Sequence, residues 1–144
     1  MAKIDKVEDL KVWQRSMDFC DSIYQLINSS NLSMDYGLRD QMNRSSISIP
    51  SNIAEGFERN SNKSLIYFMK VAKGSAGELR TQLHLAKRRN YVSESEFHRL
   101  NNELIEITKM IGGFISYLKN HDQNEFLKEP EILYKEAPPS LSNL

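Results

Sequence analysis

Between Phe97 and Leu118 the apolar residues Phe97, Leu100, Leu104, Ile107, Ile111, Phe114 and Leu118 recur at alternating intervals of three and four. That is the period of one face of an α-helix, whereas side chains of a strand change face at every residue. Ser93 and Glu96 precede the run in capping-box spacing, so the helix opens there.

Three earlier segments carry the same period. The first runs from Val7 to Ile27 with Leu10, Trp13, Met17, Cys20, Tyr24 and Ile27 as its stripe, and ends in the turn Asn28–Asn31. The second starts after Ser33, read as its N-cap, and lines up Leu38, Met42, Ile49, Ile53 and Phe57 before the polar string Arg59–Asn62. The third, from Lys63 to Arg89, repeats Leu65, Phe68, Ala72, Leu79, Leu83 and Ala86. No segment of comparable length alternates as a strand does. Long helices joined by short turns pack antiparallel to their neighbours, which predicts an all-α, up-down-up-down four-helix bundle over residues 1–120.

At 144 residues the chain has enough apolar material, 40%, for one core and one domain. Nineteen basic and nineteen acidic side chains cancel, so electrostatic recognition must come from local patches. The lone Cys20 forms no internal disulfide and reads as a small core residue of a reduced, cytoplasmic protein. The opening MAKIDKVEDL has no apolar leader, and no run approaches the ~18 apolar residues of a membrane span, so neither export nor a membrane partner is expected. From residue 121 the periodicity stops, and the tail holds three of the four prolines. In it, Phe126, Ile132, Leu133 and Tyr134 are the side chains able to dock on the bundle or on a neighbouring subunit.

The second helix contains SISIPSNIAEG. Pro50 has no amide to offer the carbonyl of Ser46 and crowds the preceding turn, at a cost of ~3 kcal/mol in a straight helix, so a kink is expected there. Small residues surround it: Ser45, Ser46, Ser48, Ser51, Ala54 and Gly56. Their hydroxyls are placed to serve the freed carbonyl, and their size lets a neighbouring backbone approach. The third helix has its own small patch, Gly74, Ser75, Ala76 and Gly77, and each interior glycine costs about 0.5–1 kcal/mol relative to alanine. Close contact of the second and third helices is the expected reason. Asn52 and Glu55, at the edge of that contact, need partners, with Glu78, Arg80 or another chain's base as candidates.

Around the third helix Lys70, Lys73, Arg80, His84 and Lys87 project together away from the core stripe, and Arg88 and Arg89 extend the flank. Lys70, Lys73, Arg80, Lys87, Arg88 and Arg89 are therefore the candidate nucleic-acid contacts; the bland alternative is a solvated face. On the other shoulder Tyr67, Val71, Gln82 and Leu85 widen the apolar arc beyond what one core needs, which points to a second partner surface.

Signatures of catalysis are sparse. None of His84, His98 or His121 follows a glutamate at three residues, as di-iron bundles require. The spacing of Arg80 and His84 is too short for the Arg/His pair of bundle-shaped RNases, one cysteine builds no thiolate metal site, and no phosphate-cradling loop occurs. Glu55 and Glu78 remain as a possible acid pair. No enzyme and no cofactor are expected.

Three stretches together, LKVWQRSMDF, YGLRDQMNRSSISIPSNIAEGFERNS and FMKVAKGSAGELRTQL, resemble the bacterial four-helix bundle proteins encoded within intervening sequences of 23S ribosomal RNA genes, often labelled ribosomal proteins. The resemblance runs from about Leu10 to Leu118 and does not reach the tail. A similar fold belongs to the accessory variability determinant of diversity-generating retroelements, a pentameric, positively charged bundle that binds a reverse transcriptase and nucleic acid. The resemblance implies a homo-oligomer, most simply a pentamer, with a basic face for RNA or DNA and a reverse transcriptase-like protein as a possible partner. It also implies shared packing at Pro50, Ser51, Asn52, Ala54, Glu55, Gly56, Gly74, Ser75, Glu78 and Leu79. The neutral overall charge departs from that relative. A homo-oligomeric protein-binding scaffold without a nucleic-acid role is the alternative.

Overall fold

The computed structural model describes residues 4–121, and the tail expected to dock lies outside the described residues. Four helices account for nearly all of it: α1 (Lys11–Asn28), α2 (Tyr36–Glu58), α3 (Asn62–Arg88) and α4 (Glu94–Lys119). Short 3-10 turns, Val7–Asp9 and Asn31–Met34, precede α1 and α2. Among the described residues there is no strand.

Helix starts follow from side chains able to accept an amide. Ser61 caps α3 by accepting from Ser64 N, and Ser93 caps α4 by accepting from Glu96 N. At α2 the cap is Asp35, which accepts from Leu38 N; the expected Ser33 falls inside the preceding 3-10 turn instead. Two residues earlier, a serine looked equally able to cap, and only the path of the turn separates them. The loops after α2 and α3 reverse through Asn60 and Asn90, at φ 58° and 61°, the left-handed region that asparagine tolerates best after glycine.

Each helix packs on two others: α1 on α2 and α4, α3 on α2 and α4. Such a closed cycle of neighbours is a four-helix bundle. Its core holds every apolar residue of the α4 repeat from Phe97 to Leu118, together with Leu38, Met42, Ile49 and Ile53 of α2 and Leu65, Ala72, Leu79, Leu83 and Ala86 of α3. Arg15 on α1 reaches Glu106 at 2.7 Å and Glu103 at 3.3 Å on α4, which ties the outer edge of that pair. Half-burial works to lower its pKa, but the hydrogen bonds and charges of the two carboxylates outweigh it and hold the guanidinium above its ordinary value.

The stripe expected on α1 is displaced. Its buried face is Val12, Ser16, Phe19, Ile23, Leu26 and Ile27, whereas Met17 is 41% and Tyr24 64% exposed. Apolar residues cover about half of this helix's circumference, so two stripes one residue apart satisfy the same three-and-four spacing. Tertiary packing selects the one that faces α2 and α4 together.

Candidate nucleic-acid interface and its opposite face

The contact between α2 and α3 is built from small polar groups. Ser48 Oγ and Ser75 Oγ are 2.8 Å apart across the two helices, and Asn52 Nδ2 donates to both Ser48 Oγ (2.9 Å) and Ser48 O (2.8 Å). Asn52 thus finds its partners within its own helix and across to Ser75. Glu55 is exposed and pairs with Arg59 one turn on, at 2.8 Å, rather than with Arg80. Glu78 is exposed.

Only one glycine in this region is demanded by packing. A Cβ on Gly56 would stand 2.9 Å from Phe68 Cβ and 3.1 Å from Leu65 Cα, a clash with the α3 backbone. Gly74 and Gly77 differ, since a Cβ on either meets nothing within 4 Å. The expectation that these two glycines admit α2 is therefore corrected: Ser75 and Ala76 between them are buried, and the flanking glycines point to solvent. At 100° per residue, two inward positions in succession leave their outer neighbours facing away.

Pro50 lies inside an α2 that is assigned as helix throughout. The carbonyl it deprives, Ser46 O, is 3.0 Å from Cys20 Sγ of α1. A thiol from the next helix, and not a local hydroxyl, serves it; Ser45 and Ser46 donate instead to Gln41 O and Asn43 O.

The six basic candidates on α3 separate into two groups. Lys87 is half-buried, 3.4 Å from Glu94 Oε1, with its Nζ 4.7 Å from the centre of the Phe97 ring. Arg89 donates to Asp35 Oδ2 at 2.8 Å, where Tyr91 also donates at 2.9 Å. The Tyr91 and Arg89 hydrogen bonds, with the Leu38 amide, hold the Asp35 carboxyl below its ordinary range. These two cations brace the turn between α3 and α4. Lys70, Lys73, Arg80 and Arg88 are exposed, and none has an ion-pair partner among the described residues. Lys73 leans toward α4, its Nζ 3.9 Å from where a Gly112 Cβ would sit.

A second surface lies on the far side of α3. Ser46 is buried and Ser48 Oγ meets Ser75 of α3, whereas Ile47 between them points outward and is 56% exposed. Met17 and Tyr24 flank Cys20 by three and four residues and so border α2 on one side; Val71 and Tyr67, four and eight residues before Ser75, border it on the other. All four are exposed, while no large apolar residue of the described part of α4 is. The exposed apolar groups of the helices thus gather around the outer face of α2. Of the wider α3 arc expected from sequence, Tyr67 and Val71 are open, and Leu85 is partly buried against the core. Among the described residues no three His, Cys, Asp or Glu groups gather as a metal site, and no helix is long and apolar enough to cross a membrane.

The profile of the 23S rRNA-intervening sequence proteins matches residues 8–113, a span that includes both SIPSNIAEG and GSAGEL. The chain belongs to that family. A crystal structure of a protein of unknown function from the S23 ribosomal protein family of Bacteroides thetaiotaomicron is similar, with 27% identity and a TM-score of 0.66. The alignment covers 72% of this chain and 97% of that one. No curated protein matches. In this 23S rRNA-intervening sequence protein the matched region ends within α4, so residues 114–144 lie beyond it.

Proposed function

We propose that this 23S rRNA-intervening sequence protein is a non-enzymatic, homo-oligomeric bundle that binds structured RNA or DNA through the outer face of α3. The observation that carries the reading is the row of four exposed cations, Lys70, Lys73, Arg80 and Arg88, which have no ion-pair partner among the described residues. Phosphate contacts of this kind release counterions, and no amide or aromatic cluster accompanies the cations to read bases, so binding is sequence-tolerant and steeply salt-dependent. Four contacts per chain are weak alone. Several copies on one polyanion, a pentamer in the simplest ring, raise the effective concentration of the later contacts.

The test is charge reversal at Lys70, Lys73 and Arg80, with retention on an RNA duplex as the readout. Loss of retention with sedimentation unchanged supports the reading. Retention equal to the wild type overturns it.

A second reading, a protein-binding scaffold, is favoured by the apolar surface around α2. That surface is also where copies of the chain would meet, or where a reverse transcriptase-like partner would dock. Replacing Tyr67 and Val71 by serine is expected to lower the sedimentation coefficient if copies meet there, with little effect on helix content.

A further inference from the structure

The row of exposed cations on α3 is interrupted. Arg80 and Arg88 stand ~12 Å apart along the helix axis at 1.5 Å per residue, and midway between them, four residues from each, is His84. Residues four apart are neighbours on a helix surface, so the three side chains line one edge. His84 is exposed, and its ring meets the buried Phe97 of α4 edge-on, with centroids 4.9 Å apart and planes at 64°. That contact fixes the imidazole against α4 and keeps it beside Arg80 and Arg88.

His98 touches the same ring, with centroids 5.6 Å apart, but its surroundings differ. Its Nε2 is 3.6 Å from Glu94 Oε1, the oxygen that Lys87 also approaches at 3.4 Å. Glu94 therefore balances a proton on His98, whereas His84 has no acid at ion-pair distance among the described residues. The charged and titratable groups around His84 are Arg80, Lys87 and Arg88 on its own helix and Glu94 and His98 on α4. At this end of α2, Asp35 is held by Arg89 and Tyr91, and Asp40 pairs with Arg39.

We infer that His84 is a proton-dependent phosphate contact of the α3 face. A polyanion lying across Arg80 and Arg88 meets a neutral ring between them in alkaline solution and a third cation once the imidazole is charged. The inference rests on the nucleic-acid reading above and adds a regulation to it. Histidine is the side chain whose charge changes between pH 5 and 8. Phosphate oxygens beside an imidazole favour its charged form, so association takes up a proton and affinity rises as pH falls through that range. Lysine and arginine stay charged throughout it, and the rest of the row contributes equally at both ends.

Fluorescence anisotropy of the full chain with a DNA duplex, at about pH 5.5 and about pH 8 and over a series of salt concentrations, tests this. One added phosphate contact steepens the dependence of log K on log salt by ~0.9 per bound chain, and at ~0.15 M salt tightens binding about fivefold. The wild type is expected to show both changes at the lower pH. His84→Gln is expected to bind alike at the two pH values, and His98→Gln to keep the wild-type difference. His84→Lys, charged at both, is expected to bind at the higher pH as the wild type does at the lower. A wild type indifferent to pH, or a difference that persists in His84→Gln, overturns the inference and leaves the nucleic-acid reading in place. A wild type that binds the duplex at neither pH overturns that reading and the inference with it.

Discussion

Cys20 Sγ lies 3.0 Å from the carbonyl oxygen of Ser46, the acceptor in α2 that Pro50 leaves without an amide. A proline in a helix interior removes one hydrogen bond, and a buried carbonyl left alone costs about 1–3 kcal/mol. Here a side chain of the neighbouring helix supplies the missing donor. The small size of a cysteine suits the place, since α1 and α2 approach closely at this turn. The only cysteine of the chain is thereby explained without redox chemistry.

Replacing Cys20 by alanine is expected to destabilise the bundle by about 1–2 kcal/mol, read as a lower urea midpoint at constant slope. In a Pro50→Ala background an amide is restored to Ser46 O, and the same cysteine replacement should cost less. The double-mutant cycle measures that coupling directly. A coupling of zero would show that the thiol and the proline do not act on one carbonyl.

Burial, helped by the charge of Asp21, pushes the Cys20 thiol up from 9.0 to about 11. The folded pKa is raised, so this group's contribution to stability is complete below about pH 9 and is lost as pH rises toward about 11. Tyrosines and lysines titrate in the same range. The expected signature is therefore a difference: the stability gap between wild type and Cys20→Ala narrows across that interval, and thiol labelling under native conditions stays slow until it.

The glycines are expected to divide by environment. Gly56→Ala places a methyl 2.9 Å from Phe68 Cβ and 3.1 Å from Leu65 Cα, and should lower stability by about 1–3 kcal/mol through overpacking. Gly74→Ala and Gly77→Ala meet nothing within 4 Å, and each should raise helix stability by about 0.5–1 kcal/mol in a single chain. Thermal melts at dilution test both directions. A loss at Gly74 that appears only at concentrations where the protein associates would place that residue in contact with another copy.

Asp35 accepts from Tyr91, Arg89 and the Leu38 amide, and its pKa is lowered. A depressed carboxylate contributes stability above its unfolded value of ~3.9 that is lost as pH falls through the lower folded value. Asp35→Asn is thus expected to be less stable than wild type at neutral pH. The difference should shrink below about pH 4 and be small near about pH 2, as urea midpoints across this range would show.

Periodicity alone determined the four helices, their order and most of the buried faces of α2, α3 and α4, because burial of an apolar stripe is a local property of a repeating chain; Phe57 of the expected α2 stripe is only partly buried, and Phe68 of the expected α3 stripe lies outside the buried core. The cap of α4 was equally legible, since a serine three residues before an amide acts within one turn, whereas the cap of α3, Ser61, lies in the polar string read as the end of α2. Other assignments needed neighbours from distant sequence. Met17 and Tyr24 satisfied the helical period of α1, and only the positions of α2 and α4 turned them outward. Gly74 and Gly77 looked like contact residues, and only the rotation of α3 showed that Ser75 and Ala76 make the contact. Lys87 and Arg89 were indistinguishable from Lys70 and Arg80 by type and spacing; the fold alone brings Glu94 and Asp35 to them. The thiol of Cys20 and the carbonyl of Ser46 are 26 residues apart in sequence. A sequence shows that a proline removes a donor, but which distant group replaces it depends on interhelical distances of a few ångströms, which only tertiary packing sets.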